Sequence, residues 1–196
     1  MKLLLTSFLH PYIPEFVSGK IAYIDDATRS FADQPWVEVE RRQLREMGLE
    51  LINLPMATTD PKDAARILDE VDGVYVAGGE TYDLLWALRS TGNFEVLKEK
   101  VEAGLPYIGT SAGSVLAAPD IDYVRLLDNA DIAPELTDYT GLHLTEYAVV
   151  PHVGDNPPFT LDKFAEIVRT YGADYKLVLL RDGEVLRIED GRTELI

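Results

Sequence analysis

Cysteine is absent, histidine occurs three times, and 18 Lys and Arg stand against 34 Asp and Glu. Without cysteine there is no disulfide framework and no thiolate zinc site, and nothing requires an oxidising compartment. The formal net charge of −16 disfavours nucleic acid, whose phosphates are bound by clustered Lys and Arg. It also disfavours an anionic membrane surface. Long apolar runs are missing too. Stretches such as residues 3–5 and 148–151 fall far short of the roughly 20 residues a bilayer-spanning helix needs. The opening MKLLLTSF has one Lys and a very short apolar stretch before His10 and Pro11, so it does not read as a signal peptide. The 196 residues suit one domain, 1–196, with an ample core. The expectation is a soluble, acidic, cytoplasmic globular protein.

What is present is an alternation of strand-length apolar runs with stretches of helical period. Residues 2–8 and 20–24 (KIAYI) lack polar alternation, as expected of strands buried on both faces. Between Ala32 and Gly48, the positions of Val37, Leu44 and Met47 fit one helix face. Strand character returns over 49–54. Asp60-Pro61 opens a helix with an Asp N-cap and a Pro in the first turn, and Ala64, Ile67, Leu68 and Val71 form its apolar stripe. Residues 73–77 (GVYVA) are a strand ending in Gly78-Gly79, followed by helices over 81–88 and 94–103 and a strand over 105–109. Strands joined by helical stretches of this length require crossovers and a mostly parallel sheet. The fold class is therefore α/β, a mostly parallel sheet with helices on both faces. After a mixed segment, 142–150, and a helix, 161–171, the runs 176–180, 184–189 and 192–196 read as an antiparallel meander. Its turns are Asp182-Gly183 and Asp190-Gly191.

The segment Gly109-Thr110-Ser111-Ala112-Gly113 has the G-x-S-x-G form directly after a buried strand. A nucleophile elbow needs this layout, because so tight a turn tolerates only small flanking side chains. It would lift Ser111 above the carboxyl end of the sheet, at a helix start whose free amides favour an oxyanion. The plainer reading is a Gly-rich turn whose serine only caps the helix. A base must come from three histidines. His143, between Leu142 and Leu144, faces away from them into solvent. His152 follows the apolar run that ends in Pro151 and is best placed, since open α/β sheets gather their sites at strand carboxyl ends. His10, also near a strand end, is the second candidate. For the acid that orients the imidazole, Asp120, Asp122, Asp128, Asp131, Glu135 and Asp138 all lie between Ser111 and His152. The turn Gly78-Gly79-Glu80-Thr81 would let a backbone N–H join that of Ala112 in an oxyanion hole. Phosphate-loop and dinucleotide motifs are absent, as is metal-ligand spacing among the histidines; neither metal nor cofactor is expected.

Taken together, 76–81 (VAGGET), 109–114 (GTSAGS) with Pro119, and Val150-Pro151-His152 resemble the S51 serine peptidases, the peptidase E (α-aspartyl dipeptidase) family. These segments, with 2–7 and 20–25, fall in that family's order over nearly the whole chain. The resemblance implies a class I glutamine amidotransferase-like, flavodoxin-like fold and a hydrolase with Ser111 as nucleophile and His152 as base. It places the acid nearest Asp128, the oxyanion hole at Gly79 and Ala112, and substrate contacts at Gly78, Glu80 and Thr81. Small peptides with an N-terminal aspartate are the implied substrates. Glu80 stands where the family usually carries Asn or Gln. After His152 the basic residues Lys163 and Arg169 occur without a matching arginine. The rival reading is a non-catalytic ligand-binding or regulatory protein that kept the fold; an amidotransferase, whose chemistry uses cysteine, is disfavoured. A homo-oligomer is compatible with the sequence but not readable from it.

Overall fold

The structure, a computed structural model, describes residues 1–31 and 35–196. In chain order the first half runs β1 (Lys2–Thr6), α1 (Ile13–Phe16), β2 (Lys20–Ile24), α2 (Pro35–Glu46), β3 (Glu50–Asn53), α3 (Pro61–Asp69) and β4 (Gly73–Val76). It continues with α4 (Thr81–Thr91), α5 (Asn93–Glu102), β5 (Tyr107–Thr110), α6 (Ala112–Leu116), β6 (Tyr147–Val150), α7 (Leu161–Tyr171), β7 (Lys176–Leu179), β8 (Val185–Glu189) and β9 (Arg192–Leu195). Ala32, where the helical pattern starts in sequence, lies outside the described residues. As expected, the Asp60 side chain caps α3 by accepting from the Lys62 amide at 2.9 Å, with Pro61 in the first turn.

Among the described residues the main sheet has the order β3-β2-β4-β5-β1-β8-β9. Its first five strands are parallel; β8 and β9 run antiparallel at one edge. Both faces are buried, which is why the strands show no polar alternation. Leu3, Leu5, Ala22, Ile24, Val74 and Val76 point into the larger core, shared with α3 to α7. Leu4, Ile21, Tyr23, Tyr75 and Ile108 point the other way, onto Ile13 of α1 and Leu44 of α2. The α/β fold with helices on both faces of a mostly parallel sheet is thus present, with antiparallel strands at the C-terminus.

Two local expectations need correction. Of the three C-terminal strands, β8 and β9 form the hairpin, turning at Asp190-Gly191 with both residues at positive φ, as an Asp-Gly type I′ turn requires. However, β7 pairs parallel with β6 in a separate two-stranded sheet. The reason is α7, which lies between them as a crossover and brings Leu177–Leu179 into register with Ala148–Val150. The segment before β6 is irregular, and its strand begins only at Tyr147. The first strand also ends early, at Thr6. Ser7 leaves the ladder, and its hydroxyl links the two sheets, donating to the Leu180 carbonyl and accepting from the His152 amide, both at 3.1 Å.

Candidate active site

The strand-to-helix turn at Ser111 is built from close backbone approaches. A Cβ on Gly113 would fall 2.1 Å from the Val76 carbonyl oxygen, so only glycine lets α6 settle against β4. The Ser114 hydroxyl fastens the turn from below: it accepts from the Thr6 amide at 2.8 Å, and its one proton is shared between the Gly109 and Thr6 carbonyls at 2.6 and 2.8 Å. The Tyr107 hydroxyl donates to the Gly113 carbonyl at 2.6 Å. Held this way, Ser111 adopts φ 51° and ψ −111°. That conformation is sparsely populated for a side-chain-bearing residue and persists only where surrounding packing enforces it. The Ser111 side chain makes no capping hydrogen bond to α6, which removes the plain capping reading. It points into a cavity of about 440 Å³ at the carboxyl ends of the strands.

His152 meets it there. Its Nε2 lies 2.8 Å from Ser111 Oγ, and its Nδ1 lies 3.1 Å from Asp182 Oδ1. A carboxylate at Nδ1 fixes the proton on that nitrogen, leaving Nε2 to accept from the serine hydroxyl. The ring is sandwiched between Phe8 and Phe159, with centroids at 4.4 and 4.7 Å, and the residue is only 7% exposed. Burial lowers the His152 pKa below the usual imidazole value, while the hydrogen bond and charge of Asp182 pull it upward. The imidazole is therefore neutral at pH 7 and able to accept a proton.

Asp128, expected at the imidazole, is elsewhere. It caps the start of α4, with Oδ2 accepting from the Thr81 amide at 3.1 Å and from the Thr81 hydroxyl. Burial raises its pKa to about 6, opposed by the Thr81 bonds and assisted by the negative charge of Glu80. The carboxylate against His152 is Asp182, 30 residues beyond it in sequence. Only one local signal marks it: an Asp-Gly turn at a strand end, a pattern that ordinarily means no more than a turn. Ser7, Phe8 and Phe159, which seat the histidine, carry no motif at all. His10 also lies away from Ser111. It accepts from the Tyr12 amide through Nδ1, which leaves Nε2–H to donate to the Gly183 carbonyl at 3.1 Å. His10 thus braces the turn that carries Asp182. His143 is exposed between buried Leu142 and Leu144.

The Gly78-Gly79 turn lies beside the serine: a Cβ on Gly78 would come 2.9 Å from Ser111 Cβ. Gly79 has φ 138° and packs on the Ala27 carbonyl, a position where a side chain has neither space nor a comfortable backbone. The Glu80 amide is taken by that carbonyl at 2.9 Å, whereas the Gly79 and Ala112 amides find no acceptor among the described residues. Gly78, Gly79, Glu80, Thr81, Ala112 and Asp128 all line the cavity. Lys163 and Arg169 do not; Arg169 pairs with Glu166 on its own helix. No group of three or more metal-binding side chains occurs among the described residues. No described helix is long and apolar enough to cross a membrane.

Comparisons with known proteins converge on one family. The model of peptidase family S51 matches residues 5–196. An uncharacterized peptidase of Listeria innocua is 31% identical over an alignment 212 positions long, covering 98% of this chain and 99% of its own. A peptidase E of Streptomyces coelicolor is 37% identical over 138 residues, covering 68% of this chain; that match spans about half of its own length, 55%. In three dimensions, a Listeria monocytogenes protein assigned as a peptidase E candidate superposes with a TM-score of 0.86 at 29% identity. That superposition covers all of this chain and 97% of the other.

Proposed function

The chain belongs to peptidase family S51, and from that membership we propose that it is a serine peptidase of small peptides, with residues 1–196 acting as one catalytic unit. The observation that carries the reading is the 2.8 Å contact between a strained Ser111 and a tautomer-fixed His152. Ser111 Oγ attacks the scissile carbonyl while His152 Nε2 takes its proton, and Asp182 stabilises the imidazolium that results. The Gly79 and Ala112 amides receive the charge that develops on the carbonyl oxygen. The tetrahedral adduct collapses as His152 returns the proton to the leaving amine, which departs and leaves an acyl ester on Ser111. Water, deprotonated by the same imidazole, then hydrolyses the ester and restores the enzyme. A cavity of about 440 Å³ is at the small end of ligand-sized sites, which suits a dipeptide rather than a folded chain. The aspartyl preference implied by the family resemblance finds no Lys or Arg in the cavity lining among the described residues.

The test combines a fluorophosphonate, which esterifies activated serines, with release of free amino acid from dipeptides. Wild type is expected to label at Ser111 and to turn over at least one dipeptide, with both signals abolished in Ser111→Ala and His152→Ala. A protein that binds peptides but neither labels nor cleaves them would be the non-catalytic member of the fold.

A further inference from the structure

The cavity in front of Ser111 is lined by two unlike sets of side chains. One set is apolar: Phe8, Phe31, Trp36, Val124, Leu127 and Phe159. The other is acidic: Glu80 and Asp128 at the glycine turn, and Glu40, which accepts from the Tyr23 hydroxyl. No Lys or Arg lines the cavity among the described residues. Glu80 directly follows Gly79, and Asp128 is bonded to Thr81, so both acids stand beside the amides assigned to the oxyanion. One of the Glu80 oxygens, Oε2, has no hydrogen-bond partner among the described residues, and the Asn129 backbone is the donor that reaches its carboxylate. The lining therefore offers carboxylate acceptors to a cationic donor and supplies none from Lys or Arg.

A peptide supplies such a donor at one place. Its N-terminal ammonium is attached to the same Cα as the first carbonyl. When that carbonyl oxygen faces the Gly79 and Ala112 amides, the ammonium must lie within a few ångströms of the turn. We propose, resting on the serine-peptidase reading above, that Glu80 and Asp128 bind the free N-terminal ammonium of a short peptide whose first side chain is uncharged and packs on the aromatic wall. The enzyme would then release one neutral residue from the N-terminus. An acidic first side chain would meet these carboxylates with no counter-cation in the lining, and such like-charge juxtaposition discriminates strongly against a ligand. Burial raises the pKa of both acids, and a bound ammonium would draw both toward their charged forms.

The experiment measures kcat/KM of the full chain on Leu-Ala, Phe-Ala, Asp-Ala and N-acetyl-Leu-Ala, with fluorophosphonate labelling of Ser111 run alongside. We expect Leu-Ala or Phe-Ala to exceed Asp-Ala at least tenfold and acetylation to lower turnover of Leu-Ala at least tenfold. Glu80→Gln is expected to shrink the ratio of free to acetylated substrate at least threefold. General damage to the site would leave that ratio unmoved. Preference for Asp-Ala, indifference to acetylation, or an unchanged ratio in Glu80→Gln would each overturn the proposal. Labelling at Ser111 without turnover of any of these peptides would also overturn it while leaving the serine hydrolase intact. Absence of labelling would sink the hydrolase reading itself.

Discussion

Replacing Asp182 by asparagine tests the site most directly, because it keeps the shape of the side chain and removes its charge. The carboxylate oxygen lies 3.1 Å from His152 Nδ1, yet its side chain is 53% exposed. Opposite charges about 4 Å apart attract by ~1 kcal/mol in water and ~4 kcal/mol at the effective dielectric of a protein surface. A half-exposed acid falls between these limits, near ~2–3 kcal/mol. Each 1.36 kcal/mol is tenfold in rate, so Asp182→Asn should lower kcat about 100-fold. The deeply buried acid of chymotrypsin-type enzymes is worth more, about 10⁴-fold. Steady-state kinetics on any cleaved dipeptide provides the assay, and its pH profile adds a second readout. Asp182 pulls the His152 pKa up against burial, so its loss should move the acidic inflection of kcat/KM to still lower pH. Asp128→Asn should act mainly on KM. A kcat loss larger for Asp128→Asn than for Asp182→Asn, or an Asp182→Asn enzyme within threefold of wild type, would refute the assignment.

Phe8→Ala opens one side of the imidazole, so the acidic inflection should rise toward 6.5 as burial is relieved; an inflection moving down would contradict this. Ser111→Gly should unfold above Ser111→Ala by about 1 kcal/mol, or ~2–4 °C by calorimetry. Glycine relieves backbone strain of ~1–3 kcal/mol at a cost of ~0.5–1 kcal/mol in entropy. Gly113→Ala must push α6 off β4, because the new Cβ would lie 2.1 Å from the Val76 carbonyl. Thermal melts should show a loss of about 2–3 kcal/mol, with Ser111 labelling reduced in the fraction that stays folded.

Much of this molecule is written in local patterns. Uninterrupted apolar runs such as KIAYI and GVYV become strands buried on both faces, because neither face can afford a polar side chain. The Asp60-Pro61 start of α3 and the Asp190-Gly191 hairpin turn follow from side chains acting on their own neighbouring backbone. These features depend on a few consecutive residues, and consecutive residues are what a sequence displays. The small-residue pattern of the elbow is legible in the same way, although its held conformation draws on Val76 and Thr6.

The acid, the cavity and the charge of its wall were decided by the tertiary structure. Asp128 and Asp182 are chemically identical and both lie in loops; what separates them is which one the chain returns to the imidazole. That return depends on β7 pairing with β6 across α7 and on Ser7 tying the two sheets together. A carboxylate acts through space over a few ångströms, so its partner is fixed by where the strands stack and not by its position along the chain. Glu80 shows the same division. The sequence marks it as an acid beside a glycine turn, but only the folded chain shows that it lines the nucleophile's cavity with no Lys or Arg beside it among the described residues.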